Sequence, residues 1–523
     1  MGPTGTPPPA APSGKKQPKF PKTFWIANTM EIFERMAWYG WFAVASLYMT
    51  NPRSEGALGF TEQQRGTLQG AITFILYLLP VLTGALADRY GFKKMFIIAY
   101  AILVPAYFLL GQFDSYGGFF VVFLLVAVGA AVFKPVVVGT VAHTTTEETG
   151  TLGFGIFYMM VNVGGFVGPV VAGILRGWDW NYVFIASSFW IACNFIWLLV
   201  FYKEPTKEST SEKPRTFKRV MDDMVDVLGT GRMFLTVLVC FTLMVFATNE
   251  WMTWRNSMIV MGVWVAVNFA YDLLLRNSNI HPGSWITTPM RVGNWRFVLF
   301  LVILSGFWTA FNQIFFTMPV YIRDFVDTTD ILYSLHGWAM AVGMTGVAAT
   351  LQGAIDSGYQ INPEYIVNVD AGAIVVFQVL VSWTMSRFPA FTTMVVGTMV
   401  AGIGLLLGGW ATAGWVVVAA IVVFAFGEMA ASPKSQEYIG RIAPPGKVAL
   451  YMGYYFVAVA LGNLFGGILS GVGYQKLALD MDRPDVMWWI FGCIAFATAV
   501  GLMLYNKLVV PGWKKEVAAQ KNV

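Results

Sequence analysis

Glu31, Glu34, Arg35 and Tyr39 lie in the stretch Thr29-Met30-Glu31-Ile32-Phe33-Glu34-Arg35-Met36-Ala37-Trp38-Tyr39, inside an apolar run over 24–49. That run is long enough to cross a bilayer. Glu31 and Glu34 are three apart, Glu31 and Arg35 four, Arg35 and Tyr39 four, so a helix projects all four side chains from roughly one face. A charge at the bilayer centre costs about 2.5–3.5 kcal/mol, so such groups turn to a protein interior or a wet cavity and partner one another. Lys134 stands alone in a second apolar run, where an ammonium needs a carboxylate or a ligand, and Glu31 and Glu34 are its nearest plausible partners. A carboxylate tuned between burial and a neighbouring cation can load and release a proton as a cavity changes exposure. The same residues also suit a static ion-pair cluster that fixes helix packing.

Such residues need a frame of membrane helices, and the composition supplies one. The 523 residues are 56% hydrophobic and 12% charged, against about 25% charged in soluble domains. Apolar segments follow at about 24–49, 65–87, 95–112, 118–140, 154–175, 182–202, 233–248, 257–275, 297–325, 364–386, 389–411, 414–432, 446–473 and 486–507, each long enough to span as a helix. Lys15, Lys16, Lys19 and Lys22, then Arg89, Lys93 and Lys94, then Lys203 to Arg219, then Arg276, Arg291 and Arg296 fall on one side if both termini are cytoplasmic. The acidic loop 143–150 is an exception that charge does not explain. A crossing by 332–355 would invert the basic loops that follow, so this segment is expected at the outer surface as interfacial or re-entrant helix.

The net charge of +5 is spread over short loops, which calls for no nucleic-acid partner. Cys193, Cys240 and Cys493 lie in apolar runs without metal-ligand spacing and are expected to be small buried hydrophobes. His143, His281 and His336 are too dispersed for a metal or catalytic site. The chain has no phosphate-cradling glycine loop and no nucleophile-turn motif. Neither an enzyme nor a cofactor is expected, and no soluble signalling domain fits between the segments.

The loop Gly84-Ala85-Leu86-Ala87-Asp88-Arg89-Tyr90-Gly91-Phe92-Lys93-Lys94 resembles the loop motif of the major facilitator superfamily. In that motif Gly84 and Gly91 permit a tight turn, Asp88 suits a helix N-terminus and Arg89 the membrane face. The resemblance implies an all-α membrane protein of two six-helix bundles with alternating access around a central site. The bundles fall at 23–203 and 296–508. A linker, 204–295, holds the surplus helix pair, and 1–22 and 509–523 are cytoplasmic tails, the first disordered.

Glu31-Ile32-Phe33-Glu34-Arg35-Met36-Ala37-Trp38-Tyr39 is similar to the first-helix pattern Glu-x-x-Glu-Arg-Phe-x-Tyr-Tyr of the proton-dependent oligopeptide transporter family, differing at Met36 and Trp38. Phe133-Lys134-Pro135, the stretch from Phe154 to Phe166 and Glu428-Met429-Ala430-Ala431-Ser432-Pro433 resemble that family's fourth-, fifth- and tenth-helix motifs. The resemblance implies proton coupling at Glu31, Glu34, Arg35 and Lys134. It also implies a pocket lined by Arg35, Tyr39, Lys134, Asn162, Trp308, Asn312, Asn362 and Glu428. Lys134 or Arg35 would receive a peptide carboxylate and Glu428 the amino terminus. Asn162 has an alternative as a packing hydrogen bond beside Gly164 and Gly165, and Glu428 as a partner of Lys434.

Two places depart from the pattern. Phe311-Asn312-Gln313 has an amide where the family has an acid, and Asn312 cannot titrate. Ile361-Asn362-Pro363 resembles the eighth-helix start, but Asp370, two turns on, has no counterpart. Asp370 is expected either to take over part of the missing acid's role, or to pair with Arg323 or sit near the surface. The function implied is proton-coupled symport of di- and tripeptides by a monomer in the plasma membrane. Transport of another small anion or zwitterion, such as nitrate or an amino-acid derivative, is the alternative, and a non-transporting peptide sensor is a more distant one.

Overall fold

Within a bilayer only helices satisfy every backbone donor and acceptor of a single open segment, so long apolar runs fold as helices. The computed structural model describes residues 20–146, 149–205, 222, 225, 227–277, 286–443 and 448–511. The Lys15–Lys19 tail, His281, the Lys514–Lys515 end and most of the basic linker lie outside these residues. Among the described residues there is no strand. Among the described residues thirteen helical stretches are long and apolar enough to cross a membrane; the first helix, 29 residues long, is long enough but carries its charged stripe.

The first half comprises α1 (Lys22–Thr50), α2 (Glu62–Leu78), α3 (Pro80–Tyr90), α4 (Phe92–Leu110), α5 (Tyr116–His143), α6 (Gly150–Arg176) and α7 (Trp180–Ile196). Thr61 and Gln64 form a capping box that starts α2, and Pro80 divides α2 from α3 within one crossing. Next come α8 (Gly231–Thr248) and α9 (Trp254–Asn277). This pair is pinned by the buried Arg232–Asp272 ion pair and rests on α2 through Phe74 and Phe241, whose rings are 5.2 Å apart.

The second half begins with a broken crossing, α10 (Trp295–Phe311), α11 (Gln313–Phe316) and α12 (Met318–Phe325). Segment 332–355 falls in two short helices, α13 (Thr329–Ala341) and α14 (Thr345–Asp356), which pack on each other across a turn at Gly343, φ +76°. With 13 and 12 residues each rises only about 20 Å, short of the roughly 30 Å hydrocarbon core. Then follow α15 (Pro363–Val367), α16 (Val369–Met385), α17 (Ala390–Gly408), α18 (Gly414–Ile442), α19 (Val448–Gly473) and α20 (Pro484–Leu508). Contrary to expectation, Cys493 is exposed on α20 and Cys193 and Cys240 are only half-buried, since apolar helices here present one face outward.

The halves join chiefly at the end opposite the start of α1, here called the far end. Gly66 and Gly70 of α2 lie so close to Gly467 of α19 that a Cβ on Gly467 would fall 2.4 Å from the Gly66 carbonyl oxygen. The break after α11 frees the Phe316 carbonyl, which accepts from Ser46 Oγ at 2.9 Å and from Arg65 at 2.5 Å. Arg65, fully buried, also holds Glu62 and Ser470.

Candidate functional site

α1 delivers its charged stripe to one place because α6 packs directly on it. A Cβ at Gly164 would meet the Arg35 Cβ and the Ile32 carbonyl at 2.6 Å, and one at Gly168 the Met36 carbonyl at 2.7 Å. The glycines of the fifth-crossing motif are therefore close-packing residues. Lys134 arrives from α5 just before Pro135. Proline has no N–H for the Ala131 carbonyl one turn back, and Thr83 Oγ1 of α3 fills the gap at 2.6 Å. The same device recurs at Pro433, where the freed Met429 carbonyl accepts from Gln378 at 3.4 Å.

The four charges meet. Lys134 Nζ lies 2.9 Å from Glu31 Oε1, Arg35 Nε lies 3.3 Å from that same oxygen, and Arg35 Nε donates to Glu34 Oε2 at 2.5 Å. Glu31 and Glu34 are fully buried, while the Lys134 side chain keeps 30% of its surface exposed. Arg35 reaches over the Tyr39 ring at 5.6 Å and Lys134 over Phe157 of α6 at the same distance. Glu31 Oε2 and Glu34 Oε1 have no hydrogen-bond partner. Each acid thus keeps one free oxygen beside a satisfied one, an arrangement that can accept a proton without breaking the cluster. A cavity of about 40 Å³ opens on Arg35 and Lys134, and Tyr77 and Phe456, one from each half, close it with rings 6.2 Å apart. Room for about one water is left. A larger polar crevice of about 330 Å³, between Thr61 and Lys476 at the far surface, holds none of these charges.

Across from this cluster stand Glu428, Tyr455 and Trp308. Glu428 Oε2 and the Trp308 indole nitrogen are buried without partners, and the Trp308 and Tyr455 rings are 6.1 Å apart. Lys434 holds Glu437 at 2.8 Å, so the alternative pairing of Glu428 with Lys434 is not made. Asn162 is half-buried on α6 and gives its amide to the Tyr158 carbonyl of its own helix at 2.9 Å. Asp370 is buried with Oδ1 unpartnered, and its expected alternative partner Arg323 is taken by Asp324 and Glu62.

Two predicted residues lie apart. Asn312 donates its side-chain amide at 2.7 Å to the Trp308 carbonyl, which its backbone N–H also reaches at 3.1 Å, and packs toward Gly466. Asn362 stands at the N-cap position of α15 at the far end, about two turns from Asp370, held extended by the proline that follows and without a side-chain cap bond.

Sequence reasoning missed Tyr77, Tyr158 and Tyr455, aromatic residues among many. Missed too was the ion pair between Arg176 of α6 and Glu364 of α15, 2.5 Å apart and joining the halves. In the loop motif, Gly91 has φ +89° and the N-terminus of α4 is capped by Glu204, which accepts from Phe92 and Lys93 N–H at 2.6 and 2.9 Å. Gly84 packs toward Pro135, Arg89 lies over Tyr90, and the Asp88 side chain is outside the described residues.

The family model described as Major Facilitator Superfamily matches residues 30–359 and 364–522. The chain is 21% identical over 519 residues to the peptide transporter YePEPT of Yersinia enterocolitica subsp. palearctica serotype O:3 (strain YE-P4), covering 92% of each. Its fold is similar to that of a crystal structure of peptide transporter POT in complex with sulfate, with TM-score 0.67, 16% identity and 93% and 94% of the two chains covered. A POT family transporter in complex with 5-aminolevulinic acid matches with TM-score 0.63, 17% identity and coverage of 94% and 97%.

Proposed function

Since the chain belongs to the Major Facilitator Superfamily, with its likeness there running to the peptide transporters of the POT family, we propose that it carries di- and tripeptides together with protons by alternating access. The single observation that carries this reading is the buried Glu31–Glu34–Arg35–Lys134 cluster beside a cavity between the bundles. On this reading Lys134 and Arg35 receive the peptide carboxylate and Glu428 the ammonium, so opposite ends of a zwitterion are held by opposite halves. Tyr39, Asn162 and Trp308 line the path, and protons load at the free oxygens of Glu31 and Glu34. Asp370 supplies an acid in the half where Asn312 cannot.

The far-end contacts make the outer gate, with both termini cytoplasmic and the protein a monomer in the plasma membrane. The Gly84–Gly91 loop, with Asp88 and Arg89, guides the opposite gate. The role is transport rather than catalysis. Uptake of a labelled dipeptide into proteoliposomes tests this: an inward proton gradient should stimulate it, and absence of uptake for any di- or tripeptide overturns it. Asn312 favours one second reading, a carrier of another small zwitterion with weak coupling, which uptake indifferent to the gradient would support.

A further inference from the structure

The segment 331–355 carries no Asp, Glu, Lys or Arg, and Asp330 and Asp356 stand at its two ends. It folds as an arm, α13 and α14, turned at Gly343. Among the described residues every hydrogen bond that ties the arm to the rest of the molecule lies at its base. Asp330 accepts from the Gly414 and Trp415 backbone N–H groups at the start of α18, both at 3.0 Å, and the Trp415 indole donates to Ser334 Oγ at 2.9 Å. Where the chain returns, Gln360 Oε1 accepts from the Thr328 N–H and hydroxyl, both at 2.7 Å, and the Ile361 N–H donates to Thr328 Oγ1 at 2.8 Å. Beyond the base, Tyr333, Leu335, Trp338, Met340, Val342 and Val347 are exposed, Trp338 to 59% and Val342 to 52%.

An arm standing in water would show this apolar surface without the charges that keep such surfaces soluble, and exposed patches of this kind mark contact sites. The base lies at the far mouth of α18, beside the exposed Trp410 and Trp415, aromatic residues of the kind that collect where a bilayer meets water. Each helix bonds its own backbone and rises about 20 Å, enough to lie in one leaflet and too short to cross two. A protein partner would need a polar rim to set its register, and the arm offers no charge for one. We propose that α13 and α14 lie in the lipid interface of the far leaflet, with the bilayer as their partner, and that this contact steadies α15 through Gln360. Glu364, four residues beyond Gln360, meets Arg176 of the other half. Lipid thus holds one side of a far-end contact, a consequence that rests on reading that ion pair as part of a gate.

The test uses nitroxide labels on Trp338→Cys and Val342→Cys in the full chain, with Cys193, Cys240 and Cys493 replaced by Ala, in liposomes. Power-saturation electron paramagnetic resonance compares oxygen, which partitions into lipid, with a water-soluble nickel chelate. Oxygen should relax both labels more strongly, with the order reversed at Ser54→Cys on the exposed far loop. Nickel dominance at both labels overturns the lipid contact, and so does exclusion of both agents, which would put a second copy of the chain there. Adding Leu335→Glu and Met340→Glu should move both labels toward nickel, and in separate samples broaden the distance distribution between labels at Trp178 and Tyr359. Labels that move into water while that distribution stays unchanged overturn the link to α15. No substrate enters either measurement, so the outcome is separate from that of the peptide reading.

Discussion

Replacing Glu364 by Gln is expected to open the far end of the molecule. Glu364 is fully buried and meets Arg176 at 2.5 Å, with the Arg176 side chain 13% exposed. Two further contacts follow along the same seam. A Cβ on Gly173 would fall 2.7 Å from the Tyr365 ring, and Asn368 donates to the Phe166 carbonyl at 2.9 Å. The substitution keeps the shape and one acceptor but removes the charge. Stripping one partner from a buried ion pair costs about 3–5 kcal/mol. Arg176 retains some water and lies over the Trp180 ring at 5.4 Å, so the lower figure, about 3 kcal/mol, applies. The penalty falls on the far-closed state alone, because separation of the halves exposes both groups to water whether or not the charge is present. At about 1.4 kcal/mol per decade the equilibrium shifts toward the far-open state by on the order of 100-fold. Spin labels at Trp178 and Tyr359, both exposed on opposite sides of the seam, would report the change as a longer distance by double electron–electron resonance. Identical distance distributions in wild type and a folded variant would refute the assignment of this pair as a gate contact.

Lys134→Gln should reduce gradient-driven dipeptide uptake by at least about tenfold, a loss of roughly 1.4 kcal/mol or more. Because the Lys134 side chain is 30% exposed and Glu31 keeps Arg35, melting should report a stability loss of no more than about 1 kcal/mol; near-normal uptake would contradict the role given to this lysine. Thr83→Val should cost about 1–3 kcal/mol by stranding the Ala131 carbonyl, yet be nearly neutral in a Pro135→Ala background, where residue 135 supplies the missing N–H. Additive melting shifts around that cycle, with no coupling above about 0.5 kcal/mol, would show that the carbonyl is satisfied in another way.

The crossings and the first-helix stripe were legible because charge inside an apolar run has few places to go, and spacing alone puts Glu31, Glu34 and Arg35 on one face. Lys134 was legible as their partner for the same reason. The contacts between halves were not. Arg176 and Glu364 are 188 positions apart, and each stands at a segment end where a charge costs little; an acid in the first turn of a helix reads as ordinary dipole compensation. The Phe316 carbonyl is left open by the helix break at Thr317, and nothing local in the sequence says that Ser46 and Arg65 answer it. Asn312 and Asn362 were placed by motif position; the Asn312 amide is taken by the Trp308 carbonyl of its own helix, and Asn362 stands at the N-cap position of α15 without a side-chain cap bond. Asp370 stands out in the sequence as a departure from the family's pattern, but its burial with an unpartnered oxygen depends on how α16 is set against its neighbours.

Within the charged cluster the members are not equivalent. Glu31, Glu34 and Arg35 come from one helix and are locked by one another and by the glycine-packed face of α6, so none of them can leave without disturbing α1. Lys134 comes from α5, on a flexible stem, keeps 30% of its side chain exposed and makes a single ion pair, to Glu31. A ligand carboxylate entering the cavity therefore competes for Lys134 more readily than for Arg35. When it succeeds, Glu31 loses one of its two cations while remaining buried, and its unpartnered Oε2 is where a proton restores the balance. On the proposed reading, proton uptake and carboxylate binding are linked through one shared cation, and removing the Lys134 charge is expected to abolish the coupling while removing little of the stability.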